Sequence, residues 1–326
     1  MCFSASTRAE HSAFRRLFPK SLLSIKDFYR EYISRKKKPR PFVPKFPKAM
    51  DANFSNPTTD EERAIKALID EYDAEQAMGY ERTLFEQRAR LVKAERKLQE
   101  KETKTALHDQ RVASEKIAAA LAKLEDLKRT ELKPRDGRIF PGWYASVLVI
   151  EDGEWLIKPM RYQCRPAGKP VFYDTKYPGT YNARRNSLEG FWKGQFGQTH
   201  GLMIVNGFYE NVKRHDMEHR ELRPGEEPEN VVLEFRPRPT QDMLIACLYS
   251  RWTPPEGSDE PELWSFAAIT DEPPPEVADA GHDRCIVQLR QENVEAWLSP
   301  QRRSKAELEG LLDDKERPYY EHLLAA

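Results

Sequence analysis

The chain has 326 residues, of which 39% are hydrophobic and 33% are charged. Its 53 basic residues balance its 53 acidic residues, so affinity for a polyanion must come from local patches. Four scattered cysteines without a C-x-x-C pair argue against a disulfide framework or a zinc site and favour a reducing compartment. No signal peptide or apolar 18-residue stretch is evident. We therefore expect a soluble cytoplasmic protein with no membrane partner, associated with the nucleoid if it is bacterial.

Met1-Cys2 offers the chain an unusual chemistry. Removal of the initiator methionine would leave an N-terminal cysteine, whose α-amine and thiol lie on adjacent carbons. Such a 1,2-aminothiol condenses with an aldehyde to an imine and then to a five-membered thiazolidine. An α-amine titrates near ~7.7–8.0 and a thiol near ~8.5, so both nucleophiles are available at neutral pH. Because many proteins have cysteine at position 2 by chance, the hypothesis needs support from other residues.

Residues 1–33 are mixed in composition, with a short helix expected at about 21–33. Residues 35–48 contain many lysines, arginines and prolines and no acidic residue. Proline disfavours helix and sheet, so we expect this stretch to form an extended cationic arm. The sequence leaves three roles open for it: a solvated linker, a contact that follows a phosphate backbone, or a nuclear-import-like signal.

Residues 59–133 consist almost entirely of Ala, Glu, Lys, Arg, Leu and Gln. They open with the capping box Thr59-x-x-Glu62 and contain only one helix breaker, Gly79. The segment is either one helix of roughly 110 Å, at about 1.5 Å per residue, or a helical hairpin. Its heptads are too interrupted for a regular coiled coil. It therefore serves either as a charged spacer or packing arm, or as a surface for self-association or for a partner protein.

After Pro134 the chain is rich in short β-like runs. Residues 145–150 and 155–157 flank Asp152-Gly153 and predict a hairpin with a type I′ turn. Further strands are predicted at 202–205, 231–235, 243–249, 266–270 and 285–289, with a helix at 291–298 and a polar helical tail from Ser304. The predicted fold class is α+β. We expect a β-rich domain with a mixed, barrel-like sheet and flanking helices, which carries the long helical segment as an insertion.

Three polar motifs interrupt the β-rich part of the chain. They are Asn182-Ala183-Arg184, Gly207-Phe208-Tyr209-Glu210 and Gly281-His282-Asp283-Arg284. The second is expected to place its carboxylate at the end of the strand 202–205. Each has an ordinary explanation: Asn182 suits a turn, Glu210 a surface position, and His282 a loop. Their interest lies in occurring together with Cys2.

In this order along the chain, the four features resemble the SOS response-associated peptidase (SRAP) family, whose members form covalent crosslinks to abasic sites in single-stranded DNA. That family begins Met-Cys-Gly-Arg and carries Asn-Ala-Arg-x-Glu, Gly-aromatic-aromatic-Glu-Trp and His-Asp-Arg-x-Pro motifs. A weaker similarity links the sequence from Arg161 to Pro166 with the family's Arg-Trp-Gly-x-x-Pro. The resemblance covers roughly residues 1–10 and 136–300, and it leaves the long helical segment without a counterpart in compact members.

Several positions depart from the family pattern. Phe3-Ser4 stands where Gly-Arg is expected, which removes an arginine that lies at the DNA interface in the family. Arg185-Asn186 replaces x-Glu, Asn211 replaces the tryptophan after the glutamate, and Cys285-Ile286 replaces the residue-proline pair. The resemblance therefore supports the crosslinking chemistry better than the DNA-binding geometry.

The resemblance implies four catalytic residues, Cys2, Asn182, Glu210 and His282, and neither a metal nor a cofactor. The Cys2 amine would attack the ring-opened aldehyde of an abasic site, and its thiol would close the thiazolidine. Glu210, with a pKa raised by its aromatic neighbours, would carry the proton that imine formation needs. His282 would protonate the ring oxygen or stabilise a nearby phosphate, and Asn182 would orient the amine.

The same thiol would cleave the Met1-Cys2 bond autocatalytically, which is the implied (auto)peptidase activity. An ordinary methionine aminopeptidase would serve equally well, because the cysteine side chain is small.

For DNA, the resemblance implies Arg184 and Arg284 as phosphate contacts, since both lie within matched motifs, and Arg161 and Tyr162 as further contacts. Residues 161–200 interleave seven lysines and arginines with eight aromatic residues. Basic and aromatic residues at this density suit a groove for a single strand, with about half of the aromatics expected in the core.

We divide the chain into five parts: an N-terminal segment with Cys2 (1–33), a basic arm (34–58), a helical insertion (59–133), the main domain (134–300) and a helical tail (301–326). The expected partner is single-stranded DNA with abasic sites. Two other functions stay open. One is a non-catalytic DNA-binding module of the same fold, and the other is a scaffold that acts through residues 59–133.

Overall fold

A computed structural model describes residues 4–35, 43–258 and 260–325 of the chain. The helices in these residues are α1 His11–Leu17, α2 Ile25–Ser34, α3 Lys48–Asp51, α4 Asp60–Glu100, α5 Lys104–Lys128, α6 Tyr173–Lys176, α7 Arg214–Met217, α8 Pro275–Asp279, α9 Val294–Leu298 and α10 Lys305–Asp313. The strands are β1 Ser4–Thr7, β2 Leu22–Leu23, β3 Arg138–Ile139, β4 Tyr144–Glu151, β5 Glu154–Tyr162, β6 Asn182–Arg184, β7 His200–Lys213, β8 Asn230–Arg238, β9 Met243–Trp252, β10 Leu263–Asp271, β11 Cys285–Ile286 and β12 Tyr319–Leu324. The fold is α+β, as predicted.

The hairpin of β4 and β5 turns where the sequence predicts it. Asp152 and Gly153 have φ angles of 52° and 84°, and a type I′ turn requires positive φ at both central positions. Glu151 pairs with Glu154 directly across this turn, which fixes the register of the whole hairpin. The predicted two-residue turn is therefore confirmed.

Five strands form a closed, barrel-like ring in the order β4, β5, β10, β9, β7 and back to β4. The β5–β10 pairing is parallel and the other four are antiparallel. Successive side chains of a strand point to opposite faces, and here both faces are apolar. One face packs into a core with Val147, Met203 and Phe266, while the other face packs against the helices α1, α9 and α10.

The strand β7 extends further than the sequence predicts. The predicted strand ends at residue 205, whereas β7 continues to Lys213 because β1 and β8 pair with its second half on either side. Glu210 consequently lies within a strand, not at the end of one. The expectation that its carboxylate sits at a strand end is wrong.

The helical segment is a hairpin. Thr59 and Glu62 form the predicted capping box at the start of α4, and Thr103 caps the start of α5. Where the two helices face each other, buried alanines recur at positions 106, 113 and 120 of α5, opposite Ala94 of α4. Small side chains at a spacing of seven let two helices approach closely. Arg90 and Asp109 join them by an ion pair of 2.6 Å between Nη2 and Oδ1.

Within the stretch predicted to be extended, 35–48, residues 43–47 form no helix, and α3 begins only at its last residue, Lys48. The side chains of Phe46, Met50 and Phe54 are nevertheless buried in a third core with Ile65, so this part of the arm packs against the protein. Residues 36–42 of the predicted arm lie outside the described residues.

The C-terminal tail is helical only through α10. After Pro318 it forms β12, which pairs antiparallel with the edge strand β8 and buries Tyr320. Pairing with β12 satisfies the backbone N–H and C=O groups along the edge of β8. These groups would stay exposed if the tail were a polar helix throughout. Among the helices of the described residues, none combines the length and the apolar character that crossing a membrane requires.

Candidate active site

Glu210 lies on the long strand β7 and is completely buried. Its position pairs with Leu233 of β8, and its neighbour Tyr209 pairs with Ser4 of β1. Two residues earlier, Phe208 stacks on Phe235 with ring centroids 5.0 Å apart. Glu210 and Phe208 therefore share the inward face of the strand, and the carboxylate sits at the border of an aromatic core.

His282 meets this carboxylate from the loop between α8 and β11. The distance between His282 Nε2 and Glu210 Oε2 is 3.2 Å, and the histidine side chain is only 7% exposed. Gly281, with a φ of +88°, makes the turn that carries the histidine inward. A side chain at that glycine would lie 3.0 Å from Asp216 Cβ and would also be strained at this φ. The sequence thus brings two separate motifs together through a glycine-dependent loop.

The hydrogen bonds of His282 determine where its protons lie. Its Nδ1 is 2.8 Å from the carbonyl oxygen of Arg284, which can only accept, so Nδ1 carries a hydrogen and donates it. The neutral ring then presents a lone pair at Nε2 toward Glu210. A hydrogen bond between Nε2 and Oε2 requires a proton on one of the two atoms. Nε2 and Oε2 are thus close enough for one proton to pass between them.

Burial reinforces this arrangement. Desolvation lowers the pKa of His282 below its ordinary value, which favours the neutral ring near pH 7. A neutral imidazole beside a carboxyl group can accept a proton and return it, as general acid–base chemistry requires.

Asn182 lies on β6, which pairs parallel with β10. Its side chain is buried, and the hydroxyl of Tyr162 lies 3.5 Å from its Oδ1. Thr270 of β10 pairs with Arg184 on one side and with Ile286 of β11 on the other. The Asn182 motif and the loop with His282 and Arg284 therefore flank one strand.

Cys2 and Phe3 lie outside the described residues. The other three cysteines are buried, and burial raises the pKa of the Cys164 thiol to about 12 and raises the thiol pKa of Cys247 and Cys285 even further. A thiol with such a pKa is scarcely ionised at neutral pH and is a poor nucleophile. These three cysteines fit a structural role.

Two residues predicted to contact DNA lie in the interior. Arg161 is 4% exposed and its Nη1 is 2.8 Å from Asp174 Oδ2, while Tyr162 is fully buried. Arg165 joins the same carboxylate, so one aspartate holds two guanidinium groups. Arg161 and Tyr162 stay predictions as DNA contacts, and their burial favours a role in supporting the site.

An exposed group of aromatic rings lies on the loops before β6 and before β7. Phe172, Tyr173, Tyr177 and Phe191 make up this group, which we call the aromatic platform. Phe172, Tyr177 and Phe191 are between 40% and 59% exposed, and the rings of Tyr173 and Tyr177 are 4.4 Å apart. The ammonium groups of Lys169 and Lys176 lie within 6 Å of tyrosine rings of the platform. Not all aromatic residues of the predicted groove are exposed, since Trp192 and Phe196 are buried in the core.

Arg138 was missed by the sequence analysis. Its guanidinium lies 3.6 Å from the ring centroid of Tyr209, and its Nε donates a hydrogen bond of 3.0 Å to Ser4 Oγ. The residue belongs to β3, which pairs with β1, and no motif surrounds it in the sequence. It places a cation beside the position where the family pattern expects arginine and this chain has Ser4. Arg185, in contrast, is held within the protein by Asp271, Glu309 and Asp313.

Within the residues that the structure describes, no three His, Cys, Asp or Glu side chains are grouped as the ligands of a metal ion would be.

Among solved structures, one similar protein comes from Bacteroides thetaiotaomicron, with 16% identity, a TM-score of 0.45, and coverage of 58% of this chain and 77% of that one. Two others come from Bordetella bronchiseptica, and each matches 58% of this chain. One has 15% identity, a TM-score of 0.45 and 87% of its chain covered. The other, a phage-related protein, has 20% identity, a TM-score of 0.42 and 80% of its chain covered. No curated protein matches the chain.

A family model described as SOS response associated peptidase (SRAP) matches residues 101–323. The match takes in the Asn182, Glu210 and His282 motifs and covers more than half of the chain, which confirms the resemblance found in the sequence. The chain belongs to the SRAP family.

Proposed function

We propose that this protein binds single-stranded DNA and forms a thiazolidine crosslink between Cys2 and the aldehyde of an abasic site. Membership of the SRAP family links the chain to the SOS response to DNA damage and to peptidase activity at the level of the family. The observation that carries the finer proposal is the buried contact between Glu210 and His282, 3.2 Å apart, next to the strand that follows Cys2.

Covalent geometry supports a role for Cys2 at this pair. Cys2 is two residues before Ser4 in the sequence, and Ser4 pairs with Tyr209, the residue directly before Glu210. Two residues of extended chain span about 7 Å at most. Only a short stretch of chain therefore connects Cys2 to the strand that pairs beside Glu210.

The chemistry balances with one water released. The unprotonated α-amine adds to the aldehyde carbon and gives a carbinolamine. The proton held between Glu210 and His282 passes to the carbinolamine hydroxyl, which leaves as water, and an imine forms. The thiolate then adds to the imine carbon, the nitrogen takes up a proton, and the five-membered ring closes. Asn182 would hold the amine by its amide oxygen during the first step.

The same groups account for the removal of Met1. The Cys2 thiol adds to the carbonyl of Met1, the peptide nitrogen leaves as the free α-amine after it takes a proton, and water hydrolyses the resulting thioester. An external aminopeptidase would produce the same N-terminus, and the crosslinking step would follow in either case.

Two kinds of side chain would bind the DNA: cations would contact its phosphates, and aromatic rings would stack on its bases. Arg184 and Arg284 would contact phosphates beside the reacting nucleotide, with Arg138 in place of the arginine that the sequence lacks at Ser4. The aromatic platform would stack unpaired bases, since every base presents a flat face to an aromatic ring and stacking contributes about 1–3 kcal/mol per base. Unpaired bases are available only in single strands, which matches the expected substrate.

A crosslinking assay tests the proposal directly. The full chain is incubated with a single-stranded oligonucleotide that contains one abasic site and is then analysed by denaturing electrophoresis and intact mass. We expect an adduct whose mass is the sum of the two components less one water. Cys2→Ala should abolish it, and the matched variant Cys164→Ala should retain it if it folds like the parent. An adduct that persists in Cys2→Ala would refute the proposal.

Binding without chemistry tests the platform separately. In the Cys2→Ala background, Phe191→Ala should weaken binding to intact single-stranded DNA by about 10-fold, whereas Leu107→Ala, at an exposed leucine of α5, should leave it unchanged. Equal affinities for both variants would remove the platform from the DNA interface and leave the crosslinking chemistry untouched.

A further inference from the structure

The outer face of α4 carries an apolar stripe. Met78, Phe85 and Val92 are spaced by seven residues, and their side chains are 58%, 78% and 48% exposed. On a helix with 3.6 residues per turn these three positions lie within about 40° of one another. We call them the α4 stripe. Three exposed apolar side chains in one line on a charge-rich helix indicate a contact surface, whereas single scattered ones would not.

The stripe faces away from α5. The side of α4 that packs on α5 carries residues such as Leu84, Leu91 and Ala94, of which Ala94 is buried. Each residue turns the helix by 100°, so Phe85 lies about 100° around the helix from Leu84. The centre of the side that packs on α5 therefore lies roughly opposite the α4 stripe. The hairpin therefore satisfies its inner face internally and leaves the outer face open.

The charges beside the stripe have an order that suits a second copy of the same helix. Glu81 precedes Phe85 by four residues and Arg88 follows it by three, on the same flank of the stripe. If two α4 helices lie antiparallel with their Phe85 side chains in contact, a two-fold axis places Met78 of one copy against Val92 of the other. The same axis places Glu81 of one copy beside Arg88 of the other, twice over.

We propose that the protein self-associates through the α4 stripe as an antiparallel pair, so that two hairpins form a four-helix arrangement centred on Phe85. The interface is isologous: apolar residues meet apolar residues, and Glu81 of each copy meets Arg88 of the other. The mixed charge on the flank disfavours DNA as the occupant, because phosphates would be repelled by Glu81. It also disfavours a lipid surface, which would require the acidic residue to approach the membrane.

Self-association would place two copies of the β-rich domain at the ends of one long helical bridge. Each α4 spans about 60 Å at 1.5 Å per residue, so the two domains would stand well apart. The proposal does not rest on the crosslinking chemistry, since it concerns only the arm.

Sedimentation equilibrium of the full chain at micromolar concentrations tests the proposal. We expect a monomer–dimer equilibrium for the parent protein. Phe85→Glu should weaken the dimer by at least about 100-fold, because a buried phenylalanine is lost from both copies. The matched control Leu107→Glu, at an exposed leucine on α5, should not change the dimer. Circular dichroism would verify that both variants keep their helices.

A charge exchange makes the test specific for the antiparallel arrangement. Glu81→Arg and Arg88→Glu should each weaken the dimer by about 2- to 10-fold, since each puts like charges together, and the double variant should restore it. A parent chain that stays monomeric up to about 100 μM, or a double variant no better than the single ones, would overturn the proposal. Binding of the parent to lipid vesicles that Phe85→Glu abolishes would also overturn it.

Discussion

The five-stranded ring with its attached elements, which we call the body, and the hairpin of α4 and α5 bury different kinds of side chain. The body buries large aromatic and branched residues on both faces of its strands, such as Phe208, Phe266 and Trp297. The hairpin buries chiefly alanines along its contact and exposes charges elsewhere. A tightly packed core can hold a carboxyl group and an imidazole in a fixed geometry, whereas an alanine seam only holds two helices together.

This difference in packing indicates that the candidate active site belongs to the body and not to the hairpin. Glu210 and His282 are fixed by pairing, stacking and a glycine turn that all belong to the body. In the hairpin, the residues that stand out are exposed and periodic, a pattern that indicates contact with another surface. We therefore expect substitutions in the two regions to separate crosslinking from the other properties of the protein.

The largest expected effect comes from the body core. Phe208→Ala should lower the free energy of unfolding by about 3–5 kcal/mol, because it removes a buried ring stacked on Phe235 and edge-on to Tyr320. The crosslinking rate should fall with it, since Glu210 lies two residues further along the strand. Urea unfolding followed by tryptophan fluorescence measures the first effect, and the electrophoretic assay measures the second.

The matched change in the hairpin is Ala113→Glu, at a fully buried alanine between α4 and α5. The glutamate cannot fit in the seam, so the hairpin should open and become sensitive to trypsin at its many lysines and arginines. The crosslinking rate should stay within about threefold of the parent, as an order-of-magnitude bound for a distant site. A Phe208→Ala variant that crosslinks normally, or an Ala113→Glu variant that does not crosslink, would contradict the expectation that crosslinking depends on the body and not on the hairpin.

A smaller effect concerns pH and a histidine of the body. His200 Nδ1 donates to the carbonyl of Trp297 and Nε2 accepts from the backbone N–H of Gly197, so the neutral ring is satisfied on both sides. Burial lowers its pKa to about 3. Below pH 6.5 the unfolded chain binds a proton at His200, whereas the folded chain binds one there only as the pH approaches 3. Stability is therefore full above about pH 6.5 and is lost as the pH falls toward 3.

Between pH 7.5 and pH 5.0 this histidine should account for about 2 kcal/mol of lost stability. His200→Phe should flatten the pH dependence by that amount, although it also removes the acceptor for Gly197. Urea midpoints at the two pH values decide the matter, and parallel curves for His200→Phe and the parent would contradict this explanation.

Much of the fold could be read from the sequence where local signals are strong. The type I′ turn at Asp152-Gly153 and the capping box at Thr59 both follow from chemistry within four residues. The hairpin was one of two predicted alternatives, since the periodicity of α4 and α5 is the same whether or not the chain folds back. The family resemblance brought Glu210 and His282 into one hypothesis from positions 72 residues apart.

The rest depended on tertiary contacts. Glu210 lies within a strand because β1 and β8 pair alongside it, and β12 forms because β8 offers an edge. The helix α3 forms in a proline-rich stretch because its apolar residues reach a core built by distant segments. Arg138 has no sequence signal at all, since its meaning comes from pairing with β1. Long-range pairing of this kind leaves no local pattern.

The most direct test of the central claim, that the pair of Glu210 and His282 moves the proton for Cys2, is the single-turnover rate of crosslinking to an abasic single strand. Glu210→Gln keeps the shape of the side chain and removes its proton, and it should slow the reaction by about 100-fold or more. Glu234→Gln, on the neighbouring strand β8 where the carboxylate accepts from the Tyr209 hydroxyl, should stay within about threefold of the parent. Equal rates for Glu210→Gln and the parent chain would contradict the account.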